Sequence, residues 1–135
     1  MGARTKARKR ALDVLYAADM RGESGLEALE RVTADGEQLT NPYTATLVRA
    51  VSEHQTRIDE ILVQFSTDWS LARMPAVDRN VLRIGVWELL WADDVPDTVA
   101  VTEAMGLVRE LSTDESPSFV NGVLGAIQRS KATLV

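Results

Sequence analysis

The 135-residue sequence has no cysteine, one histidine, four prolines and few aromatic residues, 5% in all. Without cysteine there is no disulfide framework, no thiolate nucleophile and no cysteine zinc site. His54 alone cannot build a multi-histidine metal site. No apolar run approaches the roughly 18 residues of a membrane span. The basic N-terminus lacks the apolar stretch of a signal peptide, so the cytoplasm is the expected location. Strand-like alternation persists nowhere, and no internal repeat is present. Phosphate-cradling glycine motifs and a nucleophile elbow are missing too. Neither catalysis nor a cofactor is expected.

What is present is ordinary in bulk and uneven in detail. Hydrophobic residues make up 45% and charged residues 26%, values typical of a globular protein. The length suits one domain that needs no staples. The net charge of −5 hides a split. Arg4, Lys6, Arg8, Lys9 and Arg10 stand in a segment without acids, whereas the remaining residues carry 10 basic and 20 acidic groups. A basic arm on an acidic body is a pattern for nucleic-acid contact, with a solvated, frayed terminus as the rival reading.

Helical spacing dominates the chain. Leu12, Leu15 and Ala18, with Ala11 and Val14 beside them, predict a helix from about Thr5 to Arg21 that Gly22 ends. On that helix Lys6 and Arg10 share one face and Arg4 and Arg8 a second. A short helix is predicted over Gly25 to Val32, then a loop over 33–41 turning at Asp35-Gly36. Asn41-Pro42 caps a long helix in which Tyr43, Leu47, Val51, Ile58, Leu62 and Phe65 keep helical spacing. Residues 66–74 read as a turn and short helix. From Ala76 to Trp91 apolar residues nearly encircle the axis, predicting a central helix whose exposed remainder is Asp78, Arg79, Arg83 and Glu88. Two more helices follow, one after Pro96 with Asp97 as its cap, the other starting at Ser116-Pro117. The fold class is all-α: a single compact domain of about seven helices.

Few residues suggest chemistry. His54 reads as a polar group at the core edge. Asp93, Asp94 and Asp97 lack the spacing of a calcium loop. Single-stranded nucleic acid is bound with basic residues plus stacking aromatics, for which Tyr16, Trp69, Trp87, Trp91 and Phe119 are the candidates. Core packing is the competing role for each, and Phe119, just after a polar loop, is the most ambiguous.

Several segments resemble the NusB family of transcription antitermination factors. They are Arg8-Lys9-Arg10-Ala11-Leu12-Asp13-Val14-Leu15-Tyr16, the run from Val77 to Leu89 (VDRNVLRIGVWEL), Asp94-Val95-Pro96, and Ser116-Pro117-Ser118-Phe119-Val120-Asn121-Gly122-Val123-Leu124. The match runs in order from about residue 4 to residue 130 and is most similar to actinobacterial members. The resemblance implies a single NusB-like RNA-binding domain of two packed helical subdomains, about 1–65 and 66–135. It implies binding of the boxA element of nascent ribosomal RNA leaders, a single-stranded RNA, as a heterodimer with ribosomal protein S10 (NusE). RNA polymerase and the other Nus factors complete the complex; no membrane is involved.

The resemblance also implies site residues. Arg4, Lys6, Arg8, Lys9 and Arg10 would neutralise phosphates. Arg83 would be a second RNA contact, Phe119 a base-stacking residue, and Glu115 an acid tuning RNA and S10 binding. Tyr16 and Asp78 would meet S10, with Asp78 and Glu115 facing solvent. Thr5 and Ala7 interrupt the denser arginine run of several family members. Family members occur as homodimers or monomers, and a homodimer would cover the RNA and S10 surfaces. Removal of residues 1–10 is expected to leave the fold intact. Two other readings remain: a protein-only helical adaptor, and a domain related to rRNA cytosine methyltransferases. The latter enzymes need a cofactor-binding sheet, for which these 135 residues hold no strand pattern.

Overall fold

A computed structural model describes residues 2–34, 41–67 and 69–135. Its elements are α1 (Ala3–Arg21), α2 (Gly25–Ala34), α3 (Pro42–Phe65), a 3-10 turn (Leu71–Arg73), α4 (Ala76–Trp91), α5 (Asp97–Leu111), α6 (Ser116–Arg129) and α7 (Lys131–Leu134). The described residues contain no strand. The expected turn at Asp35-Gly36 lies outside them, and residues 33 and 34 still belong to α2. The chain divides into two compact units, Met1–His54 and Gln55–Val135. The division falls inside α3 rather than near residue 65. It lies within residues 52–57 (SEHQTR), the one stretch of α3 between Val51 and Ile58 that holds no apolar residue.

In the first unit α1 packs on α2. Ala7, Ala11, Leu12, Val14, Leu15 and Ala18 form the buried stripe of α1. The helix stops where Gly22 adopts the left-handed conformation, φ 68° and ψ 28°. Glu23 N–H then donates to the Ala18 carbonyl at 3.0 Å and Gly22 N–H to that of Asp19 at 3.3 Å. This is the Schellman arrangement, which only glycine enters without a steric cost. Two residues on, Ser24 and Glu27 cap α2 reciprocally. Glu27 N–H donates to Ser24 Oγ and Ser24 N–H to Glu27 Oε1, both at 3.1 Å. Asn41 Oδ1 accepts from Tyr43 N–H at 2.9 Å and opens α3, as its Asn-Pro signal predicts.

In the second unit α4 is central and packs on α5, α6 and α7. Burial extends further around α4 than its apolar residues require: Asp78, Asn80, Arg83 and Glu88 are buried as well. The exposed remainder expected from the sequence is therefore corrected for Asp78, Arg83 and Glu88. Arg83 lies against Asp59 of α3, Nε to Oδ1 at 2.9 Å and Nη2 to Oδ2 at 3.0 Å, and its Nη1 donates to Asn80 Oδ1 at 3.2 Å. Asp78 accepts from Ser112 Oγ at 2.5 Å. A bidentate carboxylate and a hydroxyl donor are what let such charges leave water. Where α4 and α6 cross, a Cβ added to Gly85 would stand 3.1 Å from a Leu124 methyl, so glycine sets the close approach. Arg79 Nη1 donates to the carbonyls of Leu71 and Met74 and ties the 3-10 turn to α4. Asp97 is not the cap of α5. Pro96 holds that position, and Asp97 takes an ion pair from Lys131 of α7 at 2.9 Å.

Candidate nucleic-acid interface

The first unit holds the basic cluster. Helix α1 begins at Ala3, so the cluster is helical from its start and the frayed-terminus reading falls. Five cations at a helix N-terminus oppose the helix dipole, and α3 supplies the compensation. Thr44 Oγ1 donates to the Ala7 carbonyl at 3.0 Å, and Asn41 Nδ2 to that of Ala3 at 3.3 Å. The guanidinium carbons of Arg4 and Arg8 lie 4.2 and 5.6 Å from the Tyr43 ring centroid. Such cation–π contacts are worth about 0.5–1 kcal/mol when exposed and about 2 when desolvated.

The two basic rows are consequently unequal. Arg8 is 3% exposed and faces Tyr43, so its expected display to phosphate is corrected. Arg4 and Lys6 are exposed, and Lys9 and Arg10 half-buried. Arg10 also leans toward Asp13 at 4.0 Å. Because Ala7 and Arg8 are buried, loss of residues 1–10 would open the core of this unit. The fold-neutral truncation expected from the sequence is corrected on that ground. Further along α1, Tyr16 is 40% exposed and Met20 55%. They stand four residues apart and share a helix face. The sequence left Tyr16 between core and surface; the fold puts it on the surface.

In the second unit Glu115 and Phe119 come together. Both line a cavity of about 560 Å³ with Phe65, Trp69, Ser118 and Val123. The Trp69 and Phe119 rings lie 4.6 Å apart between centroids, tilted by 56°. Ser66 Oγ donates to the Trp69 carbonyl at 2.6 Å. Phe119 is half-buried and Glu115 exposed, so one aromatic face and one carboxylate border the opening. Arg83 and Asp78, expected at RNA and S10 surfaces, are instead 7% and 0% exposed and engaged within the unit.

Sequence reasoning missed three partners. Tyr43 was readable only as core. Asp59 sits beside Ile58 on the apolar stripe of α3, and an acid bordering such a stripe is the signal that points to a buried cation. Phe65 is the last residue of that stripe, where a ring can reach past the helix end. His54 Nδ1 lies 2.9 Å from the Ala50 carbonyl, the local contact of a core-edge side chain.

Among the described residues no group of three or more His, Cys, Asp or Glu could hold a metal ion. No described helix is long and apolar enough to cross a membrane. These features define an all-helical binding protein: a pinned basic helix in one unit, an aromatic cavity with an acidic rim in the other. Comparison with known proteins makes the assignment specific. The model of the NusB family matches residues 5–129. The transcription antitermination protein NusB of a Nocardioides species is 69% identical over 134 residues, 99% of each chain. Among solved structures, NusB of T. maritima superposes with a TM-score of 0.85 at 29% identity, over 97% of this chain and 94% of that one. A structure of antitermination factors NusB and NusE in complex with double-stranded RNA gives 0.81 at 32% identity, over 94% and 96%. The chain belongs to the NusB family.

Proposed function

We propose that this protein is a transcription antitermination factor that binds the boxA element of nascent ribosomal RNA leader transcripts as a heterodimer with ribosomal protein S10 (NusE). In this role it joins RNA polymerase and the other Nus factors in the cytoplasm and catalyses no reaction. The observation that carries the reading is the likeness, over nearly the whole chain, to a NusB seen together with NusE and RNA. The pinned basic helix supports it from the residues upward. Arg4, Lys6, Lys9 and Arg10 supply phosphate contacts that release counterions, on a scaffold already ordered before RNA arrives. Arg8 supports that helix from inside through Tyr43 rather than touch RNA, and Arg83 serves its own unit by pairing with Asp59. Phe119 offers a ring face for a base, with Glu115 at its edge. Tyr16, with Met20 beside it, is the surface we assign to NusE.

Titration of NusE into the protein by calorimetry tests the partner. A saturating one-to-one heterodimer is expected, and Tyr16→Ala should weaken it by about 2 kcal/mol, the cost of truncating an interface aromatic anchor. Absence of binding heat and of a heterodimer on size exclusion would favour the protein-only adaptor with some other partner.

A further inference from the structure

Asp78 is fully buried, yet its Oδ2 has no hydrogen-bond partner among the described residues. A buried carboxylate oxygen without a partner is costly and calls for an explanation. Its other oxygen ends a chain of hydroxyls. Thr113 Oγ1 and Ser116 Oγ lie 2.8 Å apart, Ser116 Oγ donates to Ser112 Oγ at 3.0 Å, and Ser112 Oγ donates to Asp78 Oδ1 at 2.5 Å. Ser116 has one proton and gives it to Ser112, so the Thr113 hydroxyl must donate to Ser116. Every donor in the chain therefore points toward Asp78. Ser116 Oγ also accepts Thr113 N–H at 3.3 Å and is 0% exposed.

The chain spans the turn between α5 and α6. Ser112 closes α5 and Ser116 opens α6. The turn carries Glu115, whose carbonyl accepts Phe119 N–H at 3.3 Å. Glu115, Ser118 and Phe119, at this turn and directly after it, all line the aromatic cavity.

We infer that Asp78 is a positioning residue: through Ser112 and Ser116 it anchors the α5–α6 turn to the first turn of α4 and so fixes where Glu115 and Phe119 stand. The carboxylate suits this task because it accepts only, which gives the hydroxyl chain one direction and one geometry. Asp78 thus acts on ligands from beneath the surface and does not itself meet a partner. The consequence for RNA affinity rests on the RNA-binding reading of Phe119; the anchoring itself does not.

The test is Ser112→Ala, which cuts the chain, with Ser112→Thr as the conservative rescue and Asp78→Asn as a second break. Amide NMR of each variant is the first readout, and boxA affinity in the presence of NusE the second. In Ser112→Ala the resonances of residues 113–119 and the Trp69 indole should move while those of α1 stay. Affinity should fall by up to about tenfold, as the placement of Glu115 and Phe119 that the lost hydrogen bond held becomes a minority state, with an unchanged salt slope because the basic helix is untouched. Ser112→Thr should restore both. Wild-type resonances over 113–119 in Ser112→Ala and Asp78→Asn would overturn the anchoring, as would affinity loss that merely tracks the unfolded fraction. If the wild-type protein shows no preference for boxA, the RNA reading fails, and the resonances alone decide the anchor.

Discussion

Replacing Asp59 by alanine tests how this fold tolerates buried charge. The Arg83 side chain is 8% exposed and that of Asp59 23%, and the two are joined through both carboxylate oxygens. Alanine removes the negative partner and leaves a guanidinium that cannot give up its proton. Breaking a fully buried pair from one side costs about 3–5 kcal/mol. Water reaches Asp59 here, and Asn80 still accepts one N–H of Arg83, so we place the cost at about 2–3 kcal/mol. That is roughly a 30- to 150-fold change in the folding equilibrium. With an m-value of about 2 kcal/mol/M, the urea midpoint should fall by about 1–1.5 M. Trp69, Trp87 and Trp91 are the only tryptophans and all lie in Gln55–Val135, so their fluorescence follows the unit that holds the pair. Helix circular dichroism follows the whole chain, and coincident transitions would license the two-state treatment. The double variant Asp59→Leu with Arg83→Met should recover most of the loss, because matched apolar groups remove the buried charge. A midpoint for Asp59→Ala within about 0.3 M of wild type, below about 0.6 kcal/mol at that m-value, would refute the reasoning.

Other perturbations follow from the same structure. Gly22→Ala should cost about 1–2 kcal/mol, the penalty of a Cβ in the left-handed region, measured by thermal or urea unfolding. Ser24→Ala should cost about 0.5–2 kcal/mol by removing half of the reciprocal cap on α2, and adding Glu27→Ala should cost less than the sum of the single changes. Tyr43→Leu should keep the apolar volume but release Arg4 and Arg8. The expected loss is about 1–2 kcal/mol, with faster amide exchange in the first turns of α1. The pair Arg4→Gln and Lys6→Gln should cost only the Arg4–Tyr43 contact in stability, about 0.5–1 kcal/mol. It should lower the slope of log affinity for boxA against log salt by about 1.4, since each single-strand phosphate contact carries about 0.7.

The helices were legible because each carries both a stripe and a terminator. Asn41-Pro42 before α3, Gly22 after α1 and Ser116-Pro117 at α6 are signals whose physics is local, and the structure places the elements where those signals stand. The Ser24–Glu27 cap was not read from the sequence, although a Ser-x-x-Glu before an apolar run is its signal. The polar residues of α4 were not legible. Asp78, Arg83 and Glu88 read as a solvated face because charge normally seeks water. What reverses this is a partner distant in sequence, Asp59 for Arg83 and Ser112 for Asp78, and no window of helical periodicity contains both members of such a pair. The same limit applied to the basic helix. Its charges were plain, but Tyr43 at the start of α3 decides that Arg8 turns inward while Lys6 stays in water. At the cavity, Phe119 and Glu115 were found through their family motif. Trp69, set among polar residues in a turn, became part of that site only once the fold brought it against Phe119.

The central claim is that this protein reads boxA RNA together with NusE through a pinned basic helix. The direct measurement is equilibrium binding to labelled single-stranded boxA and to a scrambled RNA, with and without NusE, across a salt series. The account predicts tighter binding to boxA than to the scrambled strand when NusE is present, and a linear fall of log affinity with log salt. Equal affinity for both strands with NusE bound, or affinity indifferent to salt, would contradict it.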